Sequence, residues 1–471
     1  MNSMNEDRAA RQDGGMHRRS FLNGSVAAAV AATSLASGVG TARASDATTS
    51  TGKPASAELS AGAGRAAIDI PASLLPLDGF TTVHDDLYVR VLLLENGTRR
   101  IALVVLDLTS ISEEAITSIR TIITKAAGVA TTDIVVTVTH TFSAPHVLST
   151  DTSASGKAYV QQILAATTSA VTAAVKALRP ARVGFGTGTC DVNVNRDVQT
   201  ADGWWLGTGE RGPSDKSVGV TRFDDADGTP IAVLVNYSVQ SGVMDQSVMA
   251  NGDVPVSGDL AGAAMRHVEE QYGGDTVGLF LVGSCGDQSP AFRSKRYLMD
   301  KDRNWSQVDA QDAGWLLVTL QGERLGTEAV RVSETIKTST AGARPSLRLL
   351  TDSVTVDTVA MGHPTGPVTS YDFTPTGTAE APVWILQVGQ GVFVGVEPEL
   401  STDTALDIKR HSPFAHTAVM SMLEGGAKNM AESRSYARIT YEAMDSSYAQ
   451  GSAEKVAARI GELLDSLSGG R

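Results

Sequence analysis

Short runs of aliphatic and β-branched residues recur along this chain from Tyr88 to Val396, with stretches of helical apolar spacing between them. A chain of this kind must bury strands against helices, which restricts it to α/β architectures. Tyr88–Leu94 and Arg100–Leu106 flank Glu95-Asn96-Gly97, and Val218–Phe223 and Pro230–Tyr237 flank Asp227-Gly228. Both pairs read as hairpins. Further strands are predicted at Asp133–Thr139, Ala181–Phe185, Val277–Val282, Ser346–Val356, Val383–Val388 and Gly391–Val396. Helices are predicted at Ser112–Ala127 (Ile116, Ile119, Ile122 and Ile123 on one face), Ala158–Leu178, Leu260–Tyr272, Asp312–Val332, Thr402–Lys409 and Ala453–Leu467. Hairpins among the alternating elements point to a mixed-sheet α/β enzyme with flanking helices rather than a doubly wound parallel sheet. Arg293–Asp309, charged and poor in glycine, reads as a surface loop.

The amino terminus is not read as fold. His17-Arg18-Arg19-Ser20-Phe21-Leu22, an Ala-rich stretch from Gly24 to Val39 and Ala42-Arg43-Ala44 have the layout of a bacterial twin-arginine (Tat) signal with its cleavage site. Residues 1–44 are therefore expected to be removed on export of the folded chain. Residues 45–62, rich in Ser, Thr, Ala and Gly, are expected to be a disordered leader. Residues 63–471 form one catalytic domain in this reading, secreted or retained in the cell envelope. The whole chain carries 39 Lys and Arg against 52 Asp and Glu, a net charge of −13. That acidic balance excludes the electrostatic footprint of a nucleic-acid binder and argues against adhesion to anionic membranes. No later stretch is long and apolar enough for a stable membrane anchor. Only Cys190 and Cys285 are present. They exclude a disulfide scaffold and a four-cysteine zinc site, and read as two buried thiols unless the fold sets them side by side.

Polar clusters follow several strands, where loops on a sheet scaffold carry function. Thr139–His146 holds His140, a metal ligand or proton carrier. Asn193–Arg196 ends in Arg196, an anion clamp. Gly283–Pro290 holds Asp287 and Ser289 on a tight turn, Ser289 being a candidate nucleophile. Glu397-Pro398-Glu399 offers paired carboxylates for metal binding or acid/base work. Trp204 and Trp205, read in a Gly203–Gly209 loop, are candidates to stack on a substrate ring or chain.

Taken in order, these segments resemble the catalytic domain of the neutral/alkaline, non-lysosomal ceramidase family. His84–Arg90 is similar to its "HDxLYAR", Leu106-Asp107-Leu108 to "LDL", Thr139–Pro145 to "THTHSGP" and Asn193–Arg196 to its "NR" element. Gly228–Tyr237 resembles the strand before a metal-binding His, Ser257-Gly258-Asp259 resembles "SxD", and Gly286–Pro290 resembles "GDxSP". Val394–Glu399 is similar to "PGE", and Tyr441-Glu442-Ala443 with Ala449–Leu464 to the family's tail. The similarity runs from about residue 63 to 470, without the C-terminal β-domain that many members append.

The resemblance implies a zinc-dependent amide hydrolase whose metal is held by two His, a Glu and a Tyr. Carried over by position, the first His is His140, the Glu is Glu399, the Ser is Ser289 and the Arg is Arg196. The second His of "HTH" is Phe142, the third motif's His falls on Gln240, and the Tyr falls on Asn429. Two of four ligands remain, and a zinc site needs three or four. No cofactor is therefore expected, because His140 and Glu399 alone would bind zinc poorly; zinc becomes possible if His146, Asp259 or Asp287 enters the shell. Three readings stay open: a secreted ceramidase-like hydrolase with an altered site, a metal-independent enzyme on a glycan using Glu399 with His140 or Asp287, and a secreted binding protein. The expected partner is a small-molecule, lipid or glycan substrate. His140, Arg196, Gln240, Asp287, Ser289, Glu399 and Asn429 are expected to converge in one pocket, Gln240 and Asn429 contacting substrate hydroxyls.

Overall fold

The computed structural model describes residues 58–97, 99–340, 344–426 and 429–469. The twin-arginine segment lies outside the described residues. Three mixed sheets carry the fold. In the first, Ile134–Val138, Arg100–Leu106, Leu87–Glu95, Ser60–Ile68 and Arg179–Pro180 lie in that order. The predicted hairpin forms with Val89 opposite Leu106, and Ile134–Val138 joins its far edge in parallel. The second sheet runs Val277–Val282, Pro230–Tyr237, Ser217–Asp224, Arg182–Thr189, and its first pair is parallel. The third runs Leu347–Val359, Pro375–Val388, Gly391–Val396, His416–Met420, and its last pair is parallel. The helices are α1 (Glu113–Ala127), α2 (Ala154–Lys176), α3 (Asp259–Tyr272), α4 (Gly314–Thr335), α5 (Thr402–His411), α6 (Ser433–Arg438), α7 (Tyr441–Met444) and α8 (Ser452–Gly469). Ser112 starts α1 by accepting from Ala115 N, and Gly128 ends it in the left-handed region.

Alternation along the strands sorts the core. On Leu87–Glu95, the side chains of Val89, Val91 and Leu93 join residues of α1 and α2, whereas Leu92 and Leu94 join a cluster fed by all three sheets. Period-two burial on both faces is why this run reads as almost continuously apolar. Two segments differ from the sequence reading. The first strand begins at Ser60, inside the stretch expected to be leader. Arg293–Asp309 is not a loop: Lys295–Met299 pairs with Trp305–Asp309, and Asp300 Oδ1 accepts from the N–H groups of Asp302 and Asn304 to form the turn. Its charged residues hid the pairing because this hairpin is largely solvent-facing, without a buried alternation.

Helix α2 presses directly on the first strand. A Cβ added at Gly64 would stand 2.3 Å from Ala170 O, and one at Gly62 2.3 Å from Ala174 O. Helix backbone cannot yield as a side chain does, so Gly64→Val is expected to lower stability by about 1–3 kcal/mol or more. Urea unfolding of the variant against the parent checks this.

Several residues of the ordered motifs serve the scaffold. Arg90 Nη1 donates to Asp107 Oδ2 at 2.7 Å, and both side chains are 1% exposed. The same oxygen accepts from Tyr88 N. Asp85 accepts from Ser257 Oγ and Gly258 N, and Asp259 accepts from the N–H groups of Val243 and Met244. These bonds lock the 238–245 turn to the start of α3.

Glu424 joins the first sheet through its N–H to Val136 O and pairs with Arg120 at 2.8 Å. Burial pushes its carboxyl up to about 7 despite that partner. The folded chain thus binds this proton more tightly than the unfolded chain, so Glu424 costs stability as pH rises from about 4.5 through about 7. Glu424→Gln is expected to flatten that part of the stability–pH curve, measured by melting across the window.

Candidate active site

The site lies where strands of all three sheets end. Ile134–Val138 of the first sheet leads into Thr139-His140. Pro230–Tyr237 and Val277–Val282, parallel neighbours in the second, lead to Gln240 and Cys285. Gly391–Val396 of the third leads to Glu399, which pairs with Asn429 in a two-residue parallel bridge. Loops beyond the carboxyl ends of parallel strands are the expected position for a site.

His140 is 2% exposed and has φ +55°, a region that side chains other than Gly rarely adopt. Its Nδ1 faces Thr109 O at 2.8 Å, and because a carbonyl only accepts, Nδ1 carries the hydrogen. Nε2 then points at Glu399 Oε1, 3.4 Å away, and has no hydrogen-bond partner. Phe142, in the place of the family's second His, packs its ring against His140 with centroids 4.6 Å apart.

Glu399 is buried, and burial opposes its charge. The charge of His140, then Arg196 and the Gln240 amide, nevertheless hold its carboxyl below the usual carboxylate range. Gln240 Nε2 donates to Glu399 Oε2 at 2.6 Å, while its Oε1 accepts from Arg196 Nη1 at 2.8 Å. Arg196 Nε donates to Glu442 Oε1 at 2.6 Å. Its guanidinium lies over the Tyr441 ring, 5.2 Å from the centroid. Burial works against this cation, but Glu442 and then Glu399 raise its pKa. The chain His140–Glu399–Gln240–Arg196–Glu442 is thus one continuous polar network in the interior.

Two members had no sequence signal as site residues. Glu442, in α7, was recognisable only as part of a tail motif. Asp197 stands beside it, its carboxyl pushed well up by burial and then by the negative charge of Glu442. Asp197 Oδ1 and Glu442 Oε2 are both buried without a partner, an arrangement that a proton held between the carboxyls satisfies.

Other candidates are placed differently. Asp287 Oδ1 accepts from the N–H and hydroxyl of Thr402 at the start of α5, and Oδ2 accepts from Asn195. Burial, then the charge of Glu432, pushes this carboxyl up to about 7. Its oxygens are committed to the helix start and to Asn195 rather than to His140 or Glu399. Ser289 sits in Gln288–Pro290, paired with Asn193–Asn195 opposite Val194, with no hydrogen bond to His140 or Glu399. Asn429 is 3% exposed, and its Oδ1 has no partner. Trp204 and Trp205 lie on a strand, Gly203–Leu206, rather than a loop. Trp205 is 2% exposed and meets Tyr441 edge to face, whereas Trp204 lies under Arg438. His146 pairs at the surface with Asp78, and Asp259 is taken up by backbone N–H groups, so neither approaches His140. A cleft of about 260 Å³ opens elsewhere, between the second and third sheets, lined by Phe185, Asn236, Lys409 and His416.

No protein-family description and no curated protein matches the sequence. Solved structures do. A ceramidase complexed with C2 superimposes with TM-score 0.66 at 16% identity, over 88% of this chain and 75% of that one. The neutral ceramidase from Pseudomonas aeruginosa gives 0.67 at 17%, over 87% and 74%. The fold is that of the neutral ceramidases. On this ceramidase fold the residues also fit a divalent ion. Nε2 of His140 is buried and unpartnered, and the ligand atoms of His140, Glu399 and Cys285 lie within 4.8 Å of one another. Cys285 and Cys190 are both free thiols.

Proposed function

We propose that this chain is an exported hydrolase that uses Glu399 and His140 to activate water against an amide or glycosidic linkage of a polar, hydroxyl-bearing substrate. The observation that carries the reading is an ionised carboxylate kept in the interior by His140, Gln240 and Arg196. A base must be deprotonated at its working pH and within reach of a proton, and burial sharpens both requirements. Glu399 takes the proton of the attacking water, and His140, fixed by Thr109, faces the Glu399 carboxyl with Nε2 3.4 Å from Oε1 and orients it. Arg196 keeps Gln240 oriented, so the second oxygen of Glu399 stays bound while the first reacts. Asp197, protonated beside Glu442, supplies a proton for the leaving group. Two carboxyl groups driven apart by their surroundings are the pattern expected of an acid and a base. An ion held at His140 and Glu399 would supply Lewis acidity at the bond under attack.

Asn429, whose buried Oδ1 has no partner, leaves an acceptor at this centre, which favours a hydroxyl over a hydrocarbon tail. Export through the twin-arginine route rests on Arg18-Arg19 and Ala42-Arg43-Ala44. The test is a screen of the mature chain against N-acyl sphingoid amides and against polysaccharides, reading released fatty acid or reducing ends. Turnover of either class supports a hydrolase and assigns the bond; turnover of neither, with a ligand raising the melting temperature, means a binding protein.

A further inference from the structure

We infer that Cys285 is a metal ligand standing in for lost nitrogen donors, so that His140 Nε2, Glu399 and the Cys285 sulfur form a three-ligand site for a thiophilic divalent ion such as zinc. The inference rests on the hydrolase reading only in locating the ion at the same centre. Two observations carry it independently. His140 Nε2 is an orphaned nitrogen on a side chain 2% exposed, aimed into the cluster. The sulfur lies 3.8 Å from Glu399 Oε2, while Nε2 lies 3.4 Å from Oε1. Tetrahedral edges built on usual zinc bond lengths are about 3.4 Å between nitrogen and oxygen and about 3.6 Å between sulfur and oxygen. These distances run to different oxygens of Glu399, and the three ligand atoms lie within 4.8 Å of one another, so binding an ion draws them together by at most about 1.4 Å.

Of the residues at the lost positions, Gln240 and Phe142 do not compete, while Asn429 keeps a buried Oδ1 without a partner. Gln240 has its oxygen on Arg196 and its nitrogen on Glu399, so neither is free to coordinate. Phe142 is a hydrocarbon. Cys285 comes instead from the Gly283–Gly286 turn, a part of the chain that the resemblance assigns no ligand. Thiolate with imidazole and carboxylate selects zinc or cobalt over magnesium and calcium, which take oxygen. Three protein ligands leave a coordination position open, the arrangement of catalytic rather than structural zinc. Binding is balanced by loss of the thiol proton to solvent as the metal–sulfur bond forms.

The experiment is titration of chelator-treated mature protein with Co²⁺, read by absorption. One ion per chain is expected, with a sulfur-to-cobalt charge-transfer band in the near ultraviolet. Cys285→Ser should remove the band and weaken binding by about a hundredfold or more. His140→Ala should weaken binding similarly, while Cys190→Ser keeps the band. Circular dichroism confirms that each variant is folded. Failure of the parent to bind Co²⁺, or a band that survives in folded Cys285→Ser, overturns the inference. Hydrolysis by protein that binds no cobalt sinks the inference and leaves the hydrolase intact; a thiolate band with no turnover in the substrate screen does the reverse.

Discussion

Glu399→Gln is expected to lower kcat on the substrate found by screening by about 10²–10⁴-fold, the usual worth of a positioned acid or base. The change removes one charge and almost no volume. Gln keeps an oxygen for the Gln240 amide, and Arg196 keeps Glu442 as its ion-pair partner. The fold should survive, and near-ultraviolet circular dichroism checks that it does. The loss should fall on kcat more than on KM, because a base acts in the transition state. Asp197→Asn should slow turnover as well, most strongly with the poorest leaving groups. An unchanged kcat in folded Glu399→Gln removes Glu399 from the chemistry.

The second large effect is on stability. Arg90→Met is expected to cost about 3–5 kcal/mol, because it strands the Asp107 carboxylate in the interior. Tyr88 N remains on that carboxylate but carries no charge. Glu269, whose Oε1 lies 3.6 Å from Arg90 Nε and which also pairs with Arg65, loses part of its support too. Arg90→Met with Asp107→Leu should recover much of the loss, since a buried ion pair adds little over well-packed apolar groups. Chemical denaturation of the three proteins decides. A double variant no better than the single one would place the cost in packing rather than in the stranded charge.

Local pattern made most of the scaffold legible before any coordinates. Leu87–Glu95, Pro230–Tyr237 and Val277–Val282 are buried on both faces, and their unbroken apolar character says so directly. His140, Gln240 and Glu399 were legible as residues just beyond strands. What escaped was whatever depends on distance across the fold. Cys285 resembles any small buried hydrophobe in sequence, and only its approach to residues 114 positions later and 145 earlier gives it another meaning. Asp197 and Glu442 are ordinary acids until burial and mutual repulsion alter one of them. Asp287 stood at the right place after a strand, but Thr402 at the start of α5 and the Asn195 amide took its oxygens. The Asp300–Asn304 turn was missed because its flanking strands bury no alternating face.

His140, Cys285 with Gln240, and Glu399 leave three different sheets, which meet in a shared apolar cluster. No single sheet contains a working fraction of the centre. Its residues come within reach of one another only after all three sheets have docked, so the reactive geometry is a late product of folding. Heat or denaturant that separates any one sheet should silence the protein at once, before its secondary structure is gone. Loss of function would then report the docking of the sheets, and residual helix or strand signal would not.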